Sequence, residues 1–135
     1  EYVVTPIRAR HMKNENCFIY LIQKGNKSIL YANDTGYLYE DAFEYLLKNK
    51  IRLDFVSLDC TMVNNPIKDT EGHMGFDGCN RVALKLKEMG VVDENTQIYV
   101  NHFSHNGNPL QDNLEKIAAP FGLKVSFDGL EIELV

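Results

Sequence analysis

The period of the hydrophobic residues changes along this chain, and that change limits the fold more than any other feature. Runs of β-branched and aromatic residues mark strands at 2–9, 17–23, 28–32, 55–58 and 98–101. Between and after the later runs the spacing becomes helical. Tyr39, Phe43, Leu46 and Leu47 recur on one face, as do Cys79, Val82, Ala83 and Leu86, and then Leu110, Leu114, Ile117, Ala118 and Phe121. Gly25-Asn26 predicts a hairpin between the second and third strands. Asp77 is positioned to cap the second helix, which stops at Gly90; the third starts near Pro109 and ends before Gly122. Residues 125–127 and 130–134 around Asp128-Gly129 read as a final pair of strands joined by a tight turn. Strands first, then helices alternating with strands, predict a layered α/β unit in which helices cover a sheet.

With 135 residues, 44% of them hydrophobic and 24% charged, one compact domain with a packed core is expected. The formal charge of -5 gives no basic footprint for a polyphosphate backbone, so a long nucleic acid is a poor partner. No apolar run reaches the ~20 residues that cross a bilayer, and the opening Glu1-Tyr2-Val3 has no signal-peptide pattern; a cytoplasmic protein is expected. Cys17, Cys60 and Cys79 are odd in number and scattered, which fits free buried thiols.

All four histidines fall just outside predicted elements. His102 follows the strand at 98–101, Asp34 follows the strand at 28–32, His11 follows the first strand, and His73 lies in the longest aperiodic segment, residues 61–75, with Asn64, Asn65, Pro66 and Glu71-Gly72. Ligands of α/β sheets gather outside the carboxyl ends of strands, so these side chains could converge on one rim. Imidazole and carboxylate suit zinc, manganese or iron, and an aspartate can bridge two ions. Each residue also has a plainer reading. Asp34 in Asn33-Asp34-Thr35-Gly36 would equally organise a turn, and His102 and His105 in His102-Phe103-Ser104-His105-Asn106 would equally bond to loop backbone. The residues alone support a metal or acid–base site and leave those alternatives open.

Taken in order, Arg10-His11-Met12, Asn33-Asp34-Thr35-Gly36, Leu58-Asp59-Cys60-Thr61, Gly72-His73-Met74, His102-Phe103-Ser104-His105-Asn106 and Phe127-Asp128-Gly129-Leu130-Glu131-Ile132 resemble the second half of metallo-β-lactamase-fold phosphodiesterases. The pattern is most similar to the phosphoribosyl cyclic phosphodiesterases of phosphonate breakdown. The resemblance implies the C-terminal half of an αββα sandwich with a pair of divalent ions, zinc or manganese, in a cleft at one edge. It implies that His11, Asp34 and His102 are metal ligands, that Asp34 bridges the ions, that His73 is catalytic and faces a substrate phosphate, and that His105 serves a structural zinc or supports the site. It also implies hydrolysis of a small, cyclic phosphate ester by a hydroxide held between the metals. The family's His-x-His-x-Asp-His motif does not occur between Glu1 and Val135. We therefore expect a missing N-terminal half to supply it, the chain alone to be inactive, and an uncovered apolar sheet face to drive dimerisation or strand exchange. The competing expectations are a hydrolase of another ester, a lactone or an RNA terminus, and a non-catalytic module that binds a partner chain.

Overall fold

A computed structural model describes residues 1–64 and 72–135. Asn65, Pro66 and Glu71 of the long segment lie outside the described residues. Among those described, six strands form one sheet in sequence order: β1 (Val3–Arg8), β2 (Phe18–Lys24), β3 (Lys27–Ala32), β4 (Phe55–Asp59), β5 (Gln97–Asn101) and β6 (Lys124–Val125). The pairs β1–β2 and β2–β3 are antiparallel, and β3–β4, β4–β5 and β5–β6 are parallel. The β2–β3 hairpin turns at Gly25, whose φ of 60° suits a residue without a side chain, and Lys24 pairs with Lys27 across it. Each parallel step is made through a helix: α1 (Glu40–Lys48), α2 (Phe76–Glu88) and α3 (Gln111–Ala118). Residues of all three helices join one core cluster with the sheet, as successive crossovers of a single hand that advance in one direction require.

That face is the core. Leu21, Leu30 and Val56 align across β2, β3 and β4, and Ala32, Leu58 and Val100 across β3, β4 and β5; all six are fully buried. Phe43 and Leu46 of α1, Val82 and Leu86 of α2, and Leu114 of α3 pack onto them. The side chains at alternate positions point the other way. On that open face Val4, Ile22, Ile29 and Phe55 form one row, and Tyr20 and Tyr31 lie in the next. Val4, Phe18 and Tyr31 remain exposed by 54%, 46% and 45%. Phe55 and Tyr99 stack there with ring centres 5.6 Å apart.

The structure corrects two local expectations. The N-cap of α2 is Gly75, not Asp77, which instead sits in the first turn. A β-carbon at residue 75 would come within 2.5 Å of the Val63 carbonyl oxygen, so the close approach of the loop, sealed by Phe76 N–H to Val63 O at 2.9 Å, selects glycine. The final strand pair does not form. Asp128-Gly129 does turn, with Leu130 N–H bonded to Phe127 O at 3.1 Å, but residues 130–134 do not pair with β6. The alternation of Leu130, Ile132 and Leu134 serves a tail rather than a ladder: Leu134 packs near Tyr2, Ile22 and Ile29 of the open face, and Lys27 Nζ donates to the Val135 main-chain oxygen at 2.6 Å. No helix among the described residues is long and apolar enough to cross a membrane.

At the edge of the sheet away from the histidines, Asp54 ties β3 to the start of β4. Burial pushes its carboxyl up, but the Ser28 N–H at 2.9 Å and the Lys27 ammonium at 3.1 Å, with Arg52 nearby, outweigh this and hold it below the usual value. A carboxyl depressed in the folded state stabilises at pH above its unfolded value and loses that contribution as pH falls through the folded one. Asp54→Asn should therefore lower the urea midpoint at about pH 7, and the gap from the parent should begin to narrow as pH falls past about 4, the ordinary carboxyl value, and close only below the lowered folded one. An unchanging gap across that range would show that charge is not what Asp54 contributes.

Candidate metal centre

Because β1 and β3 run the same way and β3 through β6 are parallel, five of the six strands end at one edge. Asp59 ends β4 there, just past the strand ends come His11, Asp34, Thr61 and His102, and the loop before α2 brings His73 beside them. Ligand atoms of Asp34, Asp59, His73 and His102 all lie within 4.8 Å of one another.

Asp59, the last residue of β4, is fully buried. Its Oδ1 accepts from Thr61 N–H at 2.9 Å and Thr61 Oγ1 at 2.7 Å, and its Oδ2 accepts from Thr35 N–H at 3.1 Å and His73 Nδ1 at 2.8 Å. Four donors converge on one carboxylate, which satisfies its burial and joins three chain segments at a single point. Sequence reasoning did not assign this residue a role. The available signal was an acidic side chain between Leu58 and Cys60, where an apolar strand ends.

Each of three imidazoles is anchored through Nδ1. His11 Nδ1 lies 3.0 Å from Gly72 O, which can only accept, so that nitrogen carries the proton. His73 Nδ1 faces Asp59 Oδ2, another acceptor. His102 Nδ1 lies 2.7 Å from Thr61 Oγ1. Anchoring one ring nitrogen fixes the tautomer and leaves the other to bind or react. His102 Nε2 accordingly faces Asp34 Oδ1 at 3.4 Å. The His11 and His73 rings meet edge to face at 5.1 Å, and the His73 and His102 rings stack at 5.7 Å. His105 stands apart, exposed on a 3₁₀ turn at His105–Gly107 and outside the group of four.

Asp34 and His102 hold left-handed backbones, with φ of 51° and 64°. Side chains rarely take this conformation, which costs roughly 1–3 kcal/mol where the surroundings impose it. The strain aims both side chains at one point instead of letting the chain turn away. Asp34 is half exposed and His102 is exposed by 40%, so the cluster opens to solvent. Beside it lies a cavity of 580 Å³ lined by Asn33, Asn101, His102, Phe103, Ser126 and Phe127, among others. The Asn101 side chain reaches Ser57 through its amide nitrogen, and its buried Oδ1 has no partner among the described residues.

The donor set suits a divalent transition ion: an open carboxylate and imidazole nitrogens left free by anchoring of their neighbours. Within the group of four, Asp34 and His102 are open to such an ion, whereas Asp59 has its oxygens occupied by four donors and supports the imidazoles from behind; His11 lies outside that group and touches it through the His73 ring.

No protein-family model matches the sequence, and no curated protein matches it. Solved structures do. The metallo-β-lactamase fold protein YhfI from Bacillus subtilis superposes with a TM-score of 0.67 over 98% of this chain at 20% identity. An isothiocyanate hydrolase from Delia radicum gut bacteria superposes with a TM-score of 0.66 over 98% of this chain at 13% identity. The chain covers 50% and 55% of those proteins, so it spans about half their length. It thus has the metallo-β-lactamase fold, with a six-stranded sheet covered by helices, over that half.

Proposed function

We propose that this chain is the ligand-bearing half of a divalent-metal-dependent hydrolase, and that its substrate is a small phosphate ester, cyclic in the form the motifs favour. The observation that carries the reading is the triple anchoring: His11, His73 and His102 arrive from separate segments, and each presents Nε2 because Nδ1 is held. His11, Asp34 and His102 would hold the metal, with Asp34 as the bridging carboxylate if two ions are present. When bound, zinc or manganese supplies Lewis acidity, lowering the pKa of water and neutralising charge on a phosphoryl oxygen. The remaining ligands would come from an N-terminal segment carrying His-x-His-x-Asp-His, and that segment would cover the apolar open face of the sheet. The three free thiols agree with a reducing compartment, the cytoplasm.

His73 has a different part. Asp59 holds its Nδ1 proton and stabilises the ring when it is charged, so Nε2 can carry a proton to the leaving oxygen and take one back. The net charge of -5 repels a polyanion and so favours a small substrate over an RNA. A second reading, hydrolysis of a non-phosphate electrophile such as a lactone or other ester, has in its favour the isothiocyanate hydrolase among the structural neighbours. Fold does not choose between the two. The test is to assay the full natural chain, loaded with zinc or manganese, on bis(p-nitrophenyl) phosphate, a ribose cyclic phosphate and a lactone. His73→Gln should lower turnover by ~10²- to 10⁴-fold with the metal content unchanged. Parallel loss of metal would make His73 a ligand; no turnover on any phosphate ester would favour the second reading.

A further inference from the structure

We propose that Thr61 is a positioning residue that sets the tautomer of His102. Thr61 Oγ1 has three polar neighbours: Asp59 Oδ1 at 2.7 Å, His102 Nδ1 at 2.7 Å and His73 Nδ1 at 3.1 Å. A hydroxyl has one proton to give. Asp59 Oδ1 is a carboxylate oxygen that can only accept, so a 2.7 Å separation from Thr61 Oγ1 requires the proton to lie between them. The single His73 Nδ1 proton lies toward Asp59 Oδ2, the nearer acceptor at 2.8 Å, and the hydroxyl oxygen must accept from His102. His102 therefore carries its proton on Nδ1, and its lone pair is on Nε2, the atom that faces Asp34.

The backbone holds Thr61 in place for this task. Its N–H also donates to Asp59 Oδ1 at 2.9 Å, and its carbonyl accepts from Ser104 N–H at 3.1 Å, two residues beyond His102. The Asp59 carboxylate thus orders His73 directly and His102 through one hydroxyl. Rotation of that hydroxyl would leave Asp59 Oδ1 facing a bare oxygen and His102 Nδ1 facing a proton, which reverses the ring's lone pair.

The tautomer claim stands on hydrogen-bond geometry; its consequence for metal affinity rests on the metal-centre reading above. Two measurements separate them. Nitrogen-15 NMR of the metal-free protein, at a pH where the ring is neutral, should show the His102 proton on Nδ1 in the parent and in Thr61→Ser. In Thr61→Val the proton should move wholly or partly to Nε2. A parent His102 protonated on Nε2, or a Thr61→Val spectrum unchanged at His102, overturns the proposal, and the first outcome needs no variant to fold. Zinc affinity of the full natural chain should fall by about 10- to 100-fold in Thr61→Val and stay near the parent in Thr61→Ser. The expected tautomers in a parent that binds no zinc would leave Thr61's role intact and sink the metal centre.

Discussion

Assayed in the full natural chain, Asp59→Asn should fold and yet lose the proposed hydrolysis by ~10³- to 10⁴-fold, the scale seen when a carboxylate that orients a catalytic imidazole becomes an amide. An amide NH₂ in the place of either carboxylate oxygen would confront two donors. Facing His73, it would force that ring to accept at Nδ1 and carry its proton on Nε2, the reverse of the parent arrangement. Asp59→Ala goes further, since it removes the acceptor of four donors at a fully buried position. Loss of a buried charged partner costs about 3–5 kcal/mol, and a drop of that order in urea-melt stability is expected. Turnover of Asp59→Asn within a few fold of the parent would remove Asp59 from the catalytic account and leave it a structural residue.

Asp34→Ala should abolish stoichiometric metal and, with it, turnover. The loss should exceed the ~10- to 100-fold that follows removal of an outer partner, because among the described residues Asp34 faces the rings rather than holding them from behind, with His102 Nε2 at 3.4 Å and His73 Nδ1 at 4.0 Å. Its backbone gives the prediction a second arm. At φ 51°, glycine removes the steric penalty that alanine retains, so metal-free Asp34→Gly should be more stable than Asp34→Ala by about 1 kcal/mol. Isothermal titration with zinc reads the first arm and thermal midpoints the second. An Asp34→Ala chain that still binds metal with parental affinity would show that the carboxylate is not a ligand.

The regular elements were legible because each obeys a local rule. β2 and β3 alternate between Leu21 and Leu30 on the buried side and Tyr20 and Tyr31 on the open side, and α1 repeats Phe43 and Leu46 at helical spacing. The approximate place of the site followed from the same rules, since strand ends mark where polar side chains emerge. What the sequence hid is set by contacts far along the chain. Asp59 meets Thr35 and His73 across 24 and 14 residues, and nothing within β4 tells a buried anchor from an exposed last residue. The tail misled for a related reason: residues 130–134 alternate as a strand would, but period two reports only that one side is covered, and here Leu134 lies near the open sheet face without any ladder. Gly75 was passed over in favour of Asp77 because capping preferences are local, whereas Gly75 is selected by Val63.

The most direct test of a divalent-metal hydrolase site is elemental analysis of the full natural chain after loosely bound ions are removed, run beside Asp34→Ala. This account predicts two zinc or manganese ions per parent chain and a marked loss in the variant. A parent chain without stoichiometric metal, purified or after incubation with either ion, would contradict it and leave a fold whose clustered histidines serve some other end.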